Sequence, residues 1–173
     1  PNVACEGMAF GVDPKVVEQV TKAVRKVTDK PVIVKLSPNV TDIVEIAKAV
    51  EAGGGNGVSL INTLLGMAID IHRRKPLLGN IYGGLSGPAV KPVALRMVHQ
   101  VYKGVNIPII GLGGIMSGTD AIEFMMAGAQ AVQVGTATMV DPTAISRIAR
   151  EMGDYVEQYN LNSITDIVGA VHQ

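Results

Sequence analysis

Ile107-Pro-Ile-Ile-Gly-Leu-Gly-Gly-Ile-Met-Ser117, followed one helix later by Ala131-Val-Gln-Val-Gly-Thr-Ala137, is the stretch whose reading decides the fold. Both pieces are short β-branched runs that end in glycine, and both precede a helix signal. A strand that stops at Gly-Gly leaves backbone N–H groups bare, and a helix starting just beyond turns its positive end to the same spot. Two such strand ends side by side make a phosphate cradle. In (β/α)8 barrels that cradle follows the last two strands, at the C-terminal face.

The 173 residues suit one domain of ordinary size, whereas a complete barrel takes about 250 residues. Hydrophobic residues make up 47% and charged residues 17%, enough for a sizeable core. Aromatics are only 3% and Trp is absent, so the core is built from Val, Ile, Leu, Ala and Met, as in a buried parallel sheet flanked by helices. A net charge of zero supplies no basic field for nucleic acid, and stacking platforms are missing. One Cys excludes an internal disulfide and points to a reduced, cytoplasmic setting. No apolar run reaches the ~20 residues that span a membrane, so no membrane association is expected, and no signal peptide either. The chain opens on Pro1-Asn2-Val3, without a Met, which reads as the middle of something longer.

Working outward, the first dozen residues are loop-like. Asp13-Pro14 starts a helix over 14–28, Asp as cap and Pro in the first turn, with Val17, Val20, Val24 and Val27 on one apolar stripe. A short strand covers 31–36. Thr41 or Asp42 caps a helix over 43–52, and a strand follows at 57–62. Residues 63–87 read as a long irregular connection, of the kind that is functional or mobile. Pro88 opens a helix to about 103, a strand covers 107–111, and Ser117 with Asp120 caps the next helix. After the strand at 131–135, Asp141-Pro142 begins a helix to about 159, and a short one over 164–171 closes the chain. Strict alternation of four strands with helices implies parallel strands and right-handed crossovers. The expected fold is α/β, a (β/α)8 TIM barrel of which this chain covers roughly strands five to eight, the first half being absent. Unpaired edges and an uncovered sheet face then imply that it does not fold stably alone.

In a barrel, residues at strand C-termini point into the active site. Lys35 ends an apolar strand. It either meets an anionic partner, since burying it unpaired is costly, or snorkels to the rim. Asn62-Thr63 ends the second strand, and its amide and hydroxyl suit either a planar polar ligand or a turn cap. Gly113-Gly114 and Gly135-Thr136 form the phosphate pair, with Gly87 a third close approach or a turn residue. Asn2 reads as a surface loop residue. Cys5 has no His near it in sequence and is expected to be inert. His72-Arg73-Arg74-Lys75 is a solvated charge run or a partner contact. His99 and His172 are read as structural, and Met97, Met116, Met125, Met126 and Met139 as core fillers. No metal ligands are assigned.

Taken together, Val34-Lys-Leu-Ser-Pro-Asn-Val40, Ile61-Asn-Thr-Leu64, Gly83-Gly-Leu-Ser-Gly-Pro88 with Lys91-Pro92, Gly111-Leu-Gly-Gly-Ile115 and Val134-Gly-Thr-Ala137 resemble the dihydroorotate dehydrogenase family, in its NAD-dependent class 1B form. The motifs keep their order and spacing over the whole chain. The resemblance implies an FMN-containing barrel that oxidises (S)-dihydroorotate to orotate in pyrimidine biosynthesis. Lys35 resembles the lysine that contacts the flavin ring near N1 and O2. Ile61 and Gly87 resemble backbone contacts to FMN, and Gly113, Gly114, Gly135 and Thr136 its phosphate site. Asn62 and Thr63 resemble ligands of orotate, and Asn2 another orotate-binding asparagine. The implied partners are a second barrel, as a homodimer, and an FAD and iron–sulfur electron-transfer subunit that passes electrons to NAD. The loop around His72–Lys75 is a candidate interface with it.

In that family the motif reads Asn-x-Ser-Cys-Pro-Asn, and its Cys is the base that takes the proton from C5 while hydride goes to flavin N5. Set against Pro1-Asn2, that Cys falls just before Pro1, and Cys5 does not match it. The chain is therefore expected to lack its catalytic base and to be inactive by itself. The rival readings are a fumarate-linked dihydroorotate dehydrogenase, a barrel like that of dihydropyrimidine dehydrogenase, and, from another class, a non-catalytic half-barrel that binds a phosphate ligand.

Overall fold

The structure is a computed structural model that describes residues 10–172. Asp13 accepts a hydrogen bond from the Lys15 N–H and caps α1 (Pro14–Arg25), where Pro14 loses no bond in the first turn. β1 (Ile33–Leu36) follows, then α2 (Ile43–Ala52), capped by Asp42, and β2 (Gly57–Leu60). Two antiparallel ribbons come next: β3 (Leu64–Met67) pairs with β6 (Tyr82–Leu85), and between them β4 (Ile69–Asp70) pairs with β5 (Lys75–Pro76). A 3-10 turn, Pro88–Val90, leads into α3 (Lys91–Tyr102) and β7 (Ile109–Leu112). The chain continues through α4 (Gly118–Met126), β8 (Ala131–Gln133), α5 (Thr136–Val140) and α6 (Ala144–Gln158). Two 3-10 turns, Ile164–Ile167 and Ala170–His172, complete the described residues.

β1, β2, β7 and β8 form one parallel sheet in that order. Register and pleat sort its residues. Leu36, Leu60, Gly111 and Val132 lie in one row, and Val34, Val58 and Ile109 in the next. This face meets the helices, and Leu36, Val58, Leu60 and Ile109 are buried there with Val50, Ala94, Val98, Val101 and Phe124. Each fully buried aliphatic side chain contributes about 1.5–3 kcal/mol. The opposite face carries Ile33, Lys35, Ser59, Ile110, Leu112 and Gln133, of which Ile33, Lys35 and Gln133 are exposed. All four strand C-termini open on the same end of the sheet. This is a partial barrel: parallel strands, with helices on the convex side.

The structure corrects several expectations. Residues 63–87 are not an irregular connection. Two strand pairs, 64–67 with 82–85 and 69–70 with 75–76, order the segment, and Gly66, Gly83 and Gly84 hide the alternation that would have announced them. On α1 the inward residues are Val17 and Thr21, while Val20, Val24 and especially Val27 are exposed. The reason is steric: Thr21 sits against the Gly53–Gly55 turn, where a Cβ on Gly53 would collide with it, so the helix rolls onto its Thr21 side. Val27 lies beyond the end of α1, which stops at Arg25. The C-terminal helices are also shorter than expected. Asp141 accepts bonds from Thr143 and holds a separate turn before α6, and 164–171 is 3-10 turns instead of one helix. α5, directly after Gly135, was not anticipated. Met139 on it is exposed instead of filling the core, because α5 is one short turn on the rim.

Candidate active-site cleft

At the C-terminal end of the parallel strands lies a cleft of about 310 Å³. Lys35 from β1, Ile61, Asn62 and Thr63 from the end of β2, Leu112 to Gly114 after β7 and Gln133 to Thr136 after β8 all line it, with Leu85 to Gly87 from the end of the outer ribbon. Nine candidate residues thus converge from five chain segments. Asn2, the tenth, and Cys5 lie outside the described residues.

The strand ends are stitched together. The Ile61 N–H donates to the Leu112 carbonyl at 2.8 Å and the Asn62 N–H to the Leu36 carbonyl at 2.9 Å, so the chain leaving β2 is bonded to both neighbours. Asn62 also accepts from the Thr63 N–H, at 2.9 Å. A smaller lobe adjoins the cleft, sharing Lys35, Asn62 and Thr63 and adding Ser37, Asn39 and Tyr82 to Gly84. Gly84 packs so tightly on the Thr63 side chain that no Cβ fits between them.

The glycine end has the expected bare backbone. The N–H groups of Gly113, Gly114, Gly135 and Thr136 make no hydrogen bond to any described residue. Gly113 and Gly114 have φ of 134° and 80°, a region glycine enters freely. A Cβ on Gly114 would lie 2.7 Å from the Gly87 carbonyl and 2.9 Å from the Lys91 nitrogen, so this loop touches the start of α3 backbone to backbone. Gly135 has open space where a Cβ would be. The Thr136 hydroxyl lies 3.1 Å from that of Ser86 and ties the β8 loop to the ribbon.

Two points about the cleft follow. The helix dipoles do not serve it. α4 is already capped by its own Asp120, whose carboxylate accepts from Met116 and Ser117 N–H, and α5 is a single short turn. The donors are the loop amides themselves. Of the two alternatives for Lys35 the structure favours the rim: it stands exposed, because it projects from the sheet face that the described helices leave uncovered, and it forms no ion pair among the described residues.

Three groups had escaped notice. Asn39 donates from Nδ2 to the Thr63 carbonyl and accepts at Oδ1 from the Leu65 N–H. A polar residue three positions past a strand end was the available signal. Ser86 had no signal of its own. The third is the ion cluster behind the β7 loop, Lys91 with Asp120 and Glu123. Burial alone would raise the Asp120 pKa, yet the Lys91 hydrogen bond and the Met116 N–H outweigh it and hold the carboxyl below its usual range. Its hydrogen bonds to Asp120 and then Glu123 raise Lys91.

The sequence model of the family described as dihydroorotate dehydrogenase matches residues 1–156. The chain belongs to the dihydroorotate dehydrogenase family. It is 60% identical over 171 residues to a protein of Alkaliphilus metalliredigens and 62% identical over 169 residues to one of Alkaliphilus oremlandii. It is also 62% identical over 172 residues to one of Desulforamulus reducens. All three relatives bear the name dihydroorotate dehydrogenase B (NAD(+)), catalytic subunit. The matches cover 98–99% of this chain and 56–57% of each relative, so the chain spans a little over half the length of these relatives. Among the described residues no helix is long and apolar enough to cross a membrane.

Proposed function

We infer that this protein oxidises (S)-dihydroorotate to orotate with FMN bound in the cleft, and that a partner subunit carries the electrons on to NAD. The observation that carries the reading is the convergence of four backbone N–H groups without a partner among the described residues at one end of the cleft with Lys35, Asn62 and Thr63 at the other. The residues suit the cofactor. Bare amides on two glycine-rich strand ends recognise a phosphate without needing side chains, and Gly135 leaves room for it. Ile61 and Val90 give apolar walls, and Lys35 supplies a cation.

FMN held there would supply a hydride acceptor that the side chains themselves lack. Each residue of the chain then has a task. Gly113, Gly114, Gly135 and Thr136 hold the phosphate. Lys35 offers positive charge where negative charge accumulates. Asn62 and Thr63 orient the planar substrate through the amide and hydroxyl, in the lobe that Asn39 shapes. Neither Asn62, Thr63 nor Asn39 can take a proton at neutral pH and Lys35 is a cation, so none of these four is the base that removes the C5 proton.

The exposed tip of the inner ribbon, where Asp70 accepts from the His72 and Arg73 N–H groups, holds basic side chains away from the cleft. It is the surface we assign to the electron-transfer partner. The test is anaerobic: the full-length protein is reconstituted with FMN and titrated with dihydroorotate, then with NAD in the presence of the partner subunit, and separately with fumarate. Bleaching of the flavin by dihydroorotate and NAD reduction through the partner are expected. A protein that takes up no FMN, or whose flavin dihydroorotate leaves oxidised, refutes the reading.

A further inference from the structure

The loop from Gly113 to Ser117 presents two of the four unpaired amides, yet few of its own bonds fix it in place. Its far end is fastened by α4 and α6: Asp120 Oδ2 accepts from Met116 N–H at 2.8 Å and Ser117 N–H at 3.0 Å, Glu151 accepts from Gly118 N–H, and Arg147 donates to the Met116 carbonyl at 3.2 Å. None of these contacts relates the loop to Gly87, which approaches the same cleft from the other side. Lys91 does. Its backbone nitrogen abuts Gly114, where no Cβ could be accommodated. Its Nζ reaches over to Asp120 Oδ1 at 2.5 Å and Glu123 Oε2 at 2.9 Å. One residue at the start of α3 thus grips the loop at both ends, by its main chain at Gly114 and through the Asp120 carboxylate at Met116 and Ser117. Lys91 itself does not line the cleft.

The charge matters as well as the reach. Asp120 and Glu123 place two carboxylates on the helix that follows an anion-binding loop, and such charges would oppose a phosphate dianion. The ammonium sits between them, with the Lys91 side chain 25% and that of Asp120 16% exposed, where salt screens a pair less than at the open surface.

We propose that Lys91 is a positioning residue for the phosphate end of the cleft: its ammonium, held on Asp120 and Glu123, locks the Gly113–Ser117 loop against α3 and offsets the carboxylate charge behind it. The proposal rests on reading the cleft as an FMN site, and it goes beyond that reading by assigning cofactor affinity to a residue that does not touch the cofactor.

The test compares two flavins that differ only in the phosphate. The apo form of the full-length protein is titrated with FMN and with riboflavin, following flavin fluorescence. Replacing a charge-assisted bond of this kind changes affinity on the order of tenfold. Lys91→Met is therefore expected to weaken FMN binding by about tenfold while riboflavin affinity stays within about twofold, and Lys91→Arg to restore most of the FMN affinity. If the Met variant does not fold, Lys91→Gln, which keeps a donor but not the charge, carries the same comparison. Unchanged FMN affinity, or an equal loss for both flavins, overturns the positioning role. A wild-type protein that binds riboflavin as tightly as FMN overturns the phosphate site, and the role of Lys91 with it.

Discussion

Asn39 Nδ2 donates to the Thr63 carbonyl at 3.1 Å, and the same side chain accepts from the Leu65 N–H at 3.0 Å. One amide therefore bridges the end of β1 to the loop after β2 and sets where the Thr63 hydroxyl stands. Asn39→Ala leaves both backbone groups without their partner, at a cost of about 1 kcal/mol where water replaces the bond. The expected result is a KM for dihydroorotate raised severalfold with FMN affinity unchanged. Steady-state kinetics beside an FMN titration checks it.

Lys35 should tune the cofactor instead of holding it. A cation at the ring favours the anionic reduced form and so raises the reduction potential. Lys35→Met is expected to lower the potential by a few tens of millivolts, since about 30 mV corresponds to 1.4 kcal/mol for a two-electron couple. Spectroelectrochemistry on the full-length protein measures this directly, and a potential equal to wild type argues against a ring contact.

Gly114 and Gly135 should respond differently to the same added methyl. At Gly114 a Cβ meets φ +80° and the Gly87 carbonyl together, so Gly114→Ala should cost about 1–3 kcal/mol of stability. At Gly135 the space is open and φ is −113°, so Gly135→Ala should keep its melting temperature. It should still weaken FMN binding, because the methyl enters space that the phosphate needs. Thermal melts and FMN titrations on both variants separate the two effects.

His99 gives the stability a dependence on pH. Burial, then the charges of His172 and Lys103, holds its pKa below the ordinary 6.5. The His172 ring is stacked on it at 4.1 Å and the Tyr102 ring on that of His172 at 4.7 Å. A histidine whose folded pKa is lowered contributes stability that is complete above the unfolded value and declines as pH falls through it. Melting temperature should therefore drop as pH falls below the ordinary 6.5, and His99→Gln should flatten part of that drop. An identical slope in the variant would show that His99 plays no part.

Much of the site was legible because its determinants are local. Glycine after a β-branched run marks a strand that ends in bare amides, and Lys35, Asn62 and Thr63 each declare themselves by standing at a strand end. Ser117 and Asp120 announced their capping box for the same reason: all its atoms lie within one turn. What stayed hidden depends on partners far apart in the chain. Lys91 and Asp120 are 29 residues apart, and the ribbon pairs Leu64 with Leu85, so neither relation leaves a period or a spacing to read.

From the residues alone came the four parallel strands with their intervening helices and the family, because side-chain periodicity and chain stereochemistry act over a few residues. Only the tertiary structure decided that α1 rests on Thr21 and not on its valine stripe, that Asp120 occupies the helix end expected to face a phosphate, and that Lys35 stands exposed. Those outcomes depend on which surfaces press together, and that competition is settled by volume and charge across the whole packed assembly.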